Sequence, residues 1–469
     1  MVFFIATLVM IFGAVVIEVN KASGMYIMLG IAMALFILSI LLGGSRSIET
    51  GFIWMIGWFA IGYNSYPIEG ILRIHGLDVI AMMLVFYYMF RGNRYFGSVH
   101  SNEFRVFTVF LLLISVYGAV IAALGGIPWF IIVNEMKNYM LGIPVFYFLP
   151  GLLSKEGFLK KFMRAMIFAG LLIAIPGIID FHLGYFSAGS IWGDGFDRAL
   201  FPIWGTPMAV LVLTLCYQSH FALLGEVRRR SAKLQLYFSI GIHLYAIYLS
   251  GTRNMWLAVL LSLCYMVYLR FGVWRGAIVL AIVVALFSLL PEAAESRMTS
   301  FYMLHEGEGV ITAKAYDSSG AKREARMEVA WAQLSDVPLG GGWGYAGWVH
   351  SDFLQLAVNV GIIPGLIFLL FYLRVAIRIL WTARRKSEKE LGLWSTLSGY
   401  AITIFLLLAF GGVSQLIQYM MPVWVCLALL AAMLQRERAE AGALAKPLRP
   451  RLHLPVSMQD SDLEVDGTL

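Results

Sequence analysis

A histidine and an aspartate stand at the end of the longest polar stretch of this sequence. His350 and Asp352 follow a glycine-rich run at residues 340–347 and precede an apolar segment. A neutral imidazole accepts a proton from a hydroxyl group near neutral pH, and a neighbouring carboxylate orients the ring. The pattern therefore indicates His350 as a candidate general base supported by Asp352. A histidine that caps the following helix is the structural alternative.

Three arginines have positions that suit the binding of phosphate. Arg198 opens an apolar segment, Arg253 lies in a short link between two apolar segments, and Arg326 lies where apolar spacing predicts a helix over residues 321–333. The planar guanidinium donates two parallel hydrogen bonds and stays charged when it is desolvated. For each arginine, the alternative is an interfacial position beside lipid or an ion pair, such as Asp197 with Arg198.

Lys137 is a separate candidate, since it lies inside an otherwise apolar stretch with Asn134, Glu135 and Asn138. Ionisable groups are costly within a bilayer and mark functional positions there. Lys137 is therefore a further candidate for binding an anion. The alternatives are a local pairing with Glu135 and a membrane helix that is broken near the outer surface.

The composition indicates that these residues belong to a membrane protein. Of the 469 residues, 60% are hydrophobic and 13% are charged, and the mean hydropathy is +0.78. A soluble domain has about 45–50% apolar and about 25% charged residues. In a membrane protein, a net charge of +7 reflects basic cytoplasmic loops rather than a surface that binds nucleic acid. Three cysteines within apolar segments predict neither disulfides nor a metal site: Cys216, Cys264 and Cys426.

Apolar segments long enough to cross a bilayer recur along the chain. About twenty helical residues cross a hydrocarbon layer of roughly 30 Å, and about fourteen segments fit this length, or about twelve if some lie in the interface or re-enter. The predicted spans include four before residue 91, one at 104–124 and one at 352–373. We therefore expect an all-α polytopic membrane protein with one large extracytoplasmic loop that contains short helices. Its predicted parts are a transmembrane bundle over 1–290, the loop over 291–351, the rest of the bundle over 352–434 and a disordered cytoplasmic tail over 435–469.

The distribution of basic residues predicts the orientation of this bundle. One alternating set of loops, together with the tail, carries 25 of the 35 Lys and Arg residues. These loops lie at 43–50, 91–105, 151–164, 225–233, 270–275 and 374–389. By the positive-inside rule, both termini lie in the cytoplasm and the large loop lies outside it. Arg198, Arg253 and Arg326 then share the extracytoplasmic face.

Several motifs along residues 195–372 resemble those of one superfamily in order and topology. They are Arg326-x4-Trp331, Pro338-Leu-Gly-Gly-Gly-Trp-Gly344, His350-Ser-Asp-Phe-Leu-Gln355, Gly361-Ile-Ile-Pro-Gly365, Arg198 with Gly205-Thr-Pro-Met-Ala209, and Ser250-Gly-Thr-Arg253. Together they resemble the O-antigen ligase and polysaccharide polymerase (WaaL/Wzy-like) superfamily. His350, Ser351 and Gly361 match the ligase signature of that superfamily, whereas Pro364 departs from it.

The resemblance implies a metal-independent inverting glycosyltransferase of the bacterial inner membrane, with its active face in the periplasm. The donor would be a glycan on undecaprenyl diphosphate, and the acceptor a sugar hydroxyl, as in the synthesis of O-antigen, lipopolysaccharide or exopolysaccharide. His350 would be the catalytic base and Asp352 its support. No cofactor, metal ion or nucleic acid is implied, and the surrounding partners are membrane lipids. The groups that would bind the diphosphate are Arg198, Arg253, Lys137 and Arg326.

The acceptor and even the class of function stay open at this point. A polymerase would extend another lipid-linked repeat, whereas a ligase would use a lipid A core or a protein, and Pro364 favours the polymerase. The alternative of another class is a transporter or flippase of lipid-linked glycans. Such proteins often have paired halves and polar sites at mid-membrane. This sequence has no evident symmetry, and its polar residues concentrate at the predicted outer face.

Overall fold

The structure, a computed structural model, describes most of the chain between residues 102 and 445. The described residues are 102–140, 142–154, 156–183, 190–191, 197–198, 206–224, 229–287, 318–347, 349, 351–386, 391–410 and 417–445. The side chains of Arg198 and Arg253 lie outside this description, as do the spans that we predict before residue 91. His350 also lies outside it.

The described residues are mostly helical, as the apolar segments predict. The helices are α1 (Asn102–Leu124), α2 (Trp129–Met140), α3 (Gly142–Leu153), α4 (Glu156–Leu183), α5 (Thr206–Leu224), α6 (Arg230–Leu249), α7 (Arg253–Phe271), α8 (Val273–Phe287), α9 (Ser318–Asp336), α10 (Asp352–Val360), α11 (Ile362–Arg385), α12 (Leu391–Phe410) and α13 (Ile417–Ala445). Two short strands, β1 (Ser190–Ile191) and β2 (Asp197–Arg198), pair antiparallel.

Three of the described helices are long and apolar enough to cross a membrane. These stretches are Glu103–Leu124 in α1, Gly157–Leu183 in α4 and Ile362–Arg385 in α11. Large apolar side chains are exposed on α1 and α11, among them Leu113 and Leu370. A continuous exposed apolar surface of this kind suits contact with lipid.

Helices α1 and α11 pack antiparallel, and a group of contacts defines their register. Glu103 at the start of α1 pairs with Arg374 at 2.7 Å and with Arg378 at 3.2 Å. One turn further along α1, the ring of Phe107 stacks on Phe371 with centroids 3.6 Å apart. The start of α1 and the end of α11 therefore lie at the same end of the bundle.

Two further contacts join segments at this end. The Lys386 ammonium pairs with Glu437 of α13 at 2.5 Å, and the Tyr265 hydroxyl of α7 donates to the main-chain oxygen of Leu380 at 2.8 Å. The residues involved lie in or beside segments to which the basic residues assign the same side of a membrane. The contacts therefore hold α7, α11 and α13 together at this end of the bundle.

Residues 352–373, which we predicted as one span, form two helices. Helix α10 ends at Val360 and α11 begins at Ile362, with Gly361 between them at φ +102°. A Cβ at position 361 would lie 2.8 Å from the main-chain oxygen of Leu339, and this backbone conformation favours glycine. With nine residues, α10 is about 14 Å long and too short to cross a bilayer. The long apolar helix is instead α11. Most of residues 374–389, which we predicted as a loop, belong to this helix.

The end of α13 differs from the prediction of a disordered tail from residue 435. The helix continues to Ala445, because residues 435–445 are rich in alanine, glutamate and arginine, which favour helix. Residues 446–469 lie outside the described part of the chain.

Helix α9 confirms the helix that we predicted over residues 321–333 and extends beyond it at both ends. Its buried side contains Met327, Ala330 and Leu334, which pack with residues of α10 such as Leu354 and Val358. The other side of α9, which we expected to lie against the membrane, contains Ala325, Val329 and Ala332. These three residues are exposed and are not packed on protein.

Candidate functional site

The glycine-rich segment, residues 337–347, closes the C-terminal end of α10. The amide of Gly341 donates to the main-chain oxygen of Val358 at 2.9 Å, and that of Gly342 donates to Asn359 at 2.8 Å. The last carbonyl groups of a helix have no donor within the helix. The glycine-rich segment therefore completes the hydrogen bonding of α10.

The same segment is fastened to α1 on its other side. Trp343, which is 0% exposed, donates its indole N–H to the oxygen of Ser115 at 2.9 Å and its amide to the oxygen of Gly118 at 3.1 Å. The Tyr117 hydroxyl donates to the oxygen of Leu339 at 2.8 Å. The segment is thus a buried connector between α1 and α10, which explains its glycines by packing rather than by ligand binding.

Helix α10 presents buried polar side chains to the residues that precede it. Asp352, Gln355 and Asn359 are spaced by three and four residues, so they lie on one face of the helix. The side-chain oxygen of Asn359 accepts from the amide of Ala346 at 3.0 Å, and that of Gln355 accepts from Val349 at 3.3 Å. These hydrogen bonds therefore fix the residues that lead into α10.

The two residues on either side of His350 are anchored to the first turn of α10. Val349 donates to Gln355, and Ser351 is the N-cap residue, whose hydroxyl accepts from the amide of Leu354. The capping role that was the alternative for His350 therefore belongs to Ser351. Asp352, the predicted support of His350, is the first residue of α10 and is 1% exposed. A carboxylate at this position interacts favourably with the helix dipole.

The predicted arginines occupy three different elements. The backbone of Arg198 lies in β2 opposite Ser190, and that of Arg253 begins α7. Arg326 is exposed on α9, the helix that packs on α10. Because the side chains of Arg198 and Arg253 are outside the described residues, their roles remain predictions.

Helix α2 contributes polar residues beside this site. Lys137 is half-buried on α2, and one carboxylate oxygen of Glu135 is buried. Tyr139 is 1% exposed, and its ring lies 5.0 Å from that of Trp343. The carboxylates of Asp352 and Glu135 both interact electrostatically with the Tyr139 phenol. The structure therefore brings the polar patch of α2 close to the start of α10.

Tyr139 is a member of this group that was not predicted from the sequence. The available signal was its spacing of four residues from Glu135, which places both on one face of α2. The residues that the structure brings together are thus Glu135, Tyr139, Trp343 and Asp352. Among the described residues, no three His, Cys, Asp or Glu side chains form a group that can hold a metal ion.

No protein-family model matches the chain. A search of curated proteins finds no similar sequence.

Proposed function

We propose that this protein is a membrane glycosyltransferase that moves a glycan from undecaprenyl diphosphate to a sugar hydroxyl at the periplasmic face of a bacterial inner membrane. The observation that carries the proposal is that the residues on either side of His350 are held by hydrogen bonds. Both of its neighbours are hydrogen bonded to α10, and buried Asp352 follows two residues later. A glycine-rich segment that is itself held by α1 closes the other end of α10.

In the proposed reaction, His350 accepts the proton of the acceptor hydroxyl. The acceptor oxygen attacks the anomeric carbon of the donor from the side opposite the diphosphate, and inversion follows. The bond between that carbon and the phosphate oxygen breaks, and the lipid diphosphate leaves with both electrons of the bond. The role of Asp352 is to orient the imidazole and to stabilise its charged form.

Cationic side chains stabilise the leaving group in this mechanism. The negative charge that develops on the diphosphate calls for donors that are already in place. We assign this role to Arg198, Arg253, Lys137 and Arg326. The assignment of Lys137 is supported by its half-buried position on α2. Tyr139, two residues further along the same helix, lies near Asp352.

The orientation with a periplasmic site is supported by two groups of contacts. Ion pairs of Glu103 and Lys386 occur at one end of the bundle, where the predicted cytoplasmic loops meet. The contact of Trp343 with Ser115 lies twelve residues along α1 from Glu103, or about 18 Å. The glycine-rich segment therefore lies toward the other end, where we place the active face.

Within this function we favour a polymerase over a ligase that attaches glycan to lipid A core or protein. Pro364, which departs from the ligase signature, is the third residue of α11. Proline is tolerated there because the first amides of a helix have no partner in the helix. The alternative of another class is a transporter or flippase of lipid-linked glycans. An assay in liposomes distinguishes transport from glycan transfer.

Purified protein in liposomes, given a lipid-diphosphate-linked repeat and an acceptor, tests these functions together. A ladder of products on a gel indicates a polymerase, and a single added unit indicates a ligase. Movement of the lipid-linked glycan between leaflets with no new glycosidic bond indicates a transporter and overturns the proposal.

A further inference from the structure

One exposed face runs along the whole of α11. Its residues are spaced by three and four positions, which places them on one side of the helix. In chain order they are Ile363, Ile367, Leu370, Arg374, Ile377, Trp381, Arg384 and Arg385. The face is about 33 Å long, which is close to the roughly 30 Å of a hydrocarbon layer. It is mostly apolar as far as Ile377, and it ends in an aromatic ring and two cations.

The two cations at the end of this face differ from the basic residues around them. Arg374, which interrupts the apolar part, pairs with Glu103 at 2.7 Å, and Lys386 pairs with a carboxylate of α13. No carboxylate of the described residues forms an ion pair with Arg384 or Arg385. The charge of these two exposed guanidinium groups is therefore not neutralised by the described residues near them.

The ring of Trp381 holds both guanidinium groups. Its centroid lies 4.8 Å from Cζ of Arg385 and 5.9 Å from Cζ of Arg384, and the side chain is 51% exposed. A cation is attracted to the face of an aromatic ring, while its N–H groups can still donate to other partners. Because the planar guanidinium fork matches the oxygens of a phosphate, the three side chains form a surface that suits a phosphate group.

The contacts of α7 indicate that this group lies at a membrane surface. The Tyr265 hydroxyl donates to the main-chain oxygen of Leu380 at 2.8 Å, so the ends of α7 and α11 lie at a similar depth. Helix α8 begins directly after α7 with two exposed apolar residues, Val273 and Trp274, and Trp274 is 84% exposed. Exposed tryptophan is typical of the interface between a membrane and water. Arg384 therefore lies near the level of lipid headgroups.

We propose that the exposed face of α11 binds one anionic phospholipid. Its acyl chains lie along Leu370 and Ile377, and its phosphate accepts hydrogen bonds from Arg384 and Arg385. A soluble anion would make no use of the apolar part of the face, and the ammonium group of a zwitterionic lipid would be repelled by the two cations. The inference goes beyond the proposed function and does not depend on it, because this lipid lies at the end of the bundle opposite the proposed active face.

Lipid binding to the detergent-purified full chain tests the inference. Native mass spectrometry counts the bound lipids as phosphatidylglycerol or phosphatidylcholine with the same acyl chains is added. We expect the wild-type protein to bind one phosphatidylglycerol about 10-fold more tightly than phosphatidylcholine. The double variant Arg384→Gln, Arg385→Gln should lose this preference.

A second variant tests the ring apart from the charge. Trp381→Leu keeps an apolar side chain and both cations but removes the surface that holds them. We expect about 2- to 5-fold weaker binding of phosphatidylglycerol, as for the loss of an exposed cation–π contact. Attraction by charge alone predicts no change for Trp381→Leu, and that result would overturn the assigned site.

The matched control is the double variant Arg229→Gln, Arg230→Gln. It also removes two adjacent exposed arginines on the same predicted side of the membrane, but no described aromatic ring lies against them. It should bind phosphatidylglycerol as the wild type does. The inference is overturned if the wild type binds both lipids equally, or if this control weakens binding as much as the loss of Arg384 and Arg385. Wild-type binding by the Arg384→Gln, Arg385→Gln variant would also overturn it, and would indicate that another segment or a second copy of the chain covers this face.

Discussion

The indole N–H of Trp343 donates to the main-chain oxygen of Ser115 at 2.9 Å, across 228 positions of the sequence. This bond fastens the glycine-rich segment to α1, and the amides of the same segment close the end of α10. The position of α10 is therefore determined by α1 as well as by its own neighbours. Since α10 begins two residues after His350, we expect this packing to determine where the proposed catalytic base is held.

Substitution of Trp343 should loosen this arrangement. We expect Trp343→Ala to lower the free energy of unfolding by about 3–5 kcal/mol, since it removes a fully buried aromatic side chain. Trp343→Phe keeps a ring but loses the hydrogen bond, so it should cost about 1–2 kcal/mol. Thermal unfolding of the detergent-purified variants measures both. Equal stability of Trp343→Ala and wild type would contradict the assigned packing.

Two helical glycines form a matched pair for the same contact. A Cβ at Gly118 would lie 2.6 Å from Trp343 Nε1 and 2.7 Å from Val360 Cγ1, whereas a Cβ at Gly241 would meet nothing within 4 Å. We expect Gly118→Ala to destabilise the protein by about 1–3 kcal/mol through overlap. Gly241→Ala should stabilise it by about 0.5–1 kcal/mol, because alanine loses less backbone entropy. Comparable melting temperatures for the two variants would refute the close approach of Gly118 and Trp343.

Single cysteines test the orientation. We expect Arg326→Cys to react with a membrane-impermeant maleimide in intact spheroplasts, because Arg326 is exposed on α9 in the predicted periplasmic loop. Arg230→Cys, at the start of α6 in a predicted cytoplasmic loop, should react only after the membrane is opened. Background should be low because Cys216 and Cys426 are buried and Cys264 is half-buried. The reverse pattern would invert the proposed topology.

Much of the helical framework could be predicted from hydrophobic runs. The helix near 104–124 and the helix of the loop over 321–333 agree with α1 and α9 because local sequence determines them. The split at Gly361 was missed, although glycine followed by Pro364 is a local signal of a new helix start. The apolar run across residues 352–373 concealed that signal.

The composition of the site was harder to predict. The neighbourhood of Tyr139, Trp343 and Asp352 depends on the packing of α1, α2 and α10 across more than two hundred residues. Periodicity reports which face of a helix is apolar, but it does not report which distant residue covers that face. Asp352 was predicted because it is next to His350, whereas Tyr139 has no such local marker.

The binding of the lipid diphosphate predicts a difference between arginine and lysine at position 253. Arg253→Lys keeps the positive charge but loses the planar pair of donors. We expect the rate of glycan transfer to fall about 10-fold or more, as for the loss of a hydrogen bond to a charged group. The control is Arg275→Lys, an exposed residue of α8 in a predicted cytoplasmic loop, which should retain the wild-type rate. Unchanged transfer by Arg253→Lys would exclude bidentate binding of phosphate there.

The most direct test of the proposed function is the initial rate of undecaprenyl diphosphate release by purified His350→Ala in the presence of donor and acceptor. The loss of a general base should lower this rate by about 10²- to 10⁴-fold, while the thermal stability stays close to that of wild type. His182→Ala, which removes the side chain that is hydrogen bonded to Tyr245, serves as the control and should retain the wild-type rate. A rate for His350→Ala equal to that of wild type would contradict the catalytic role of His350.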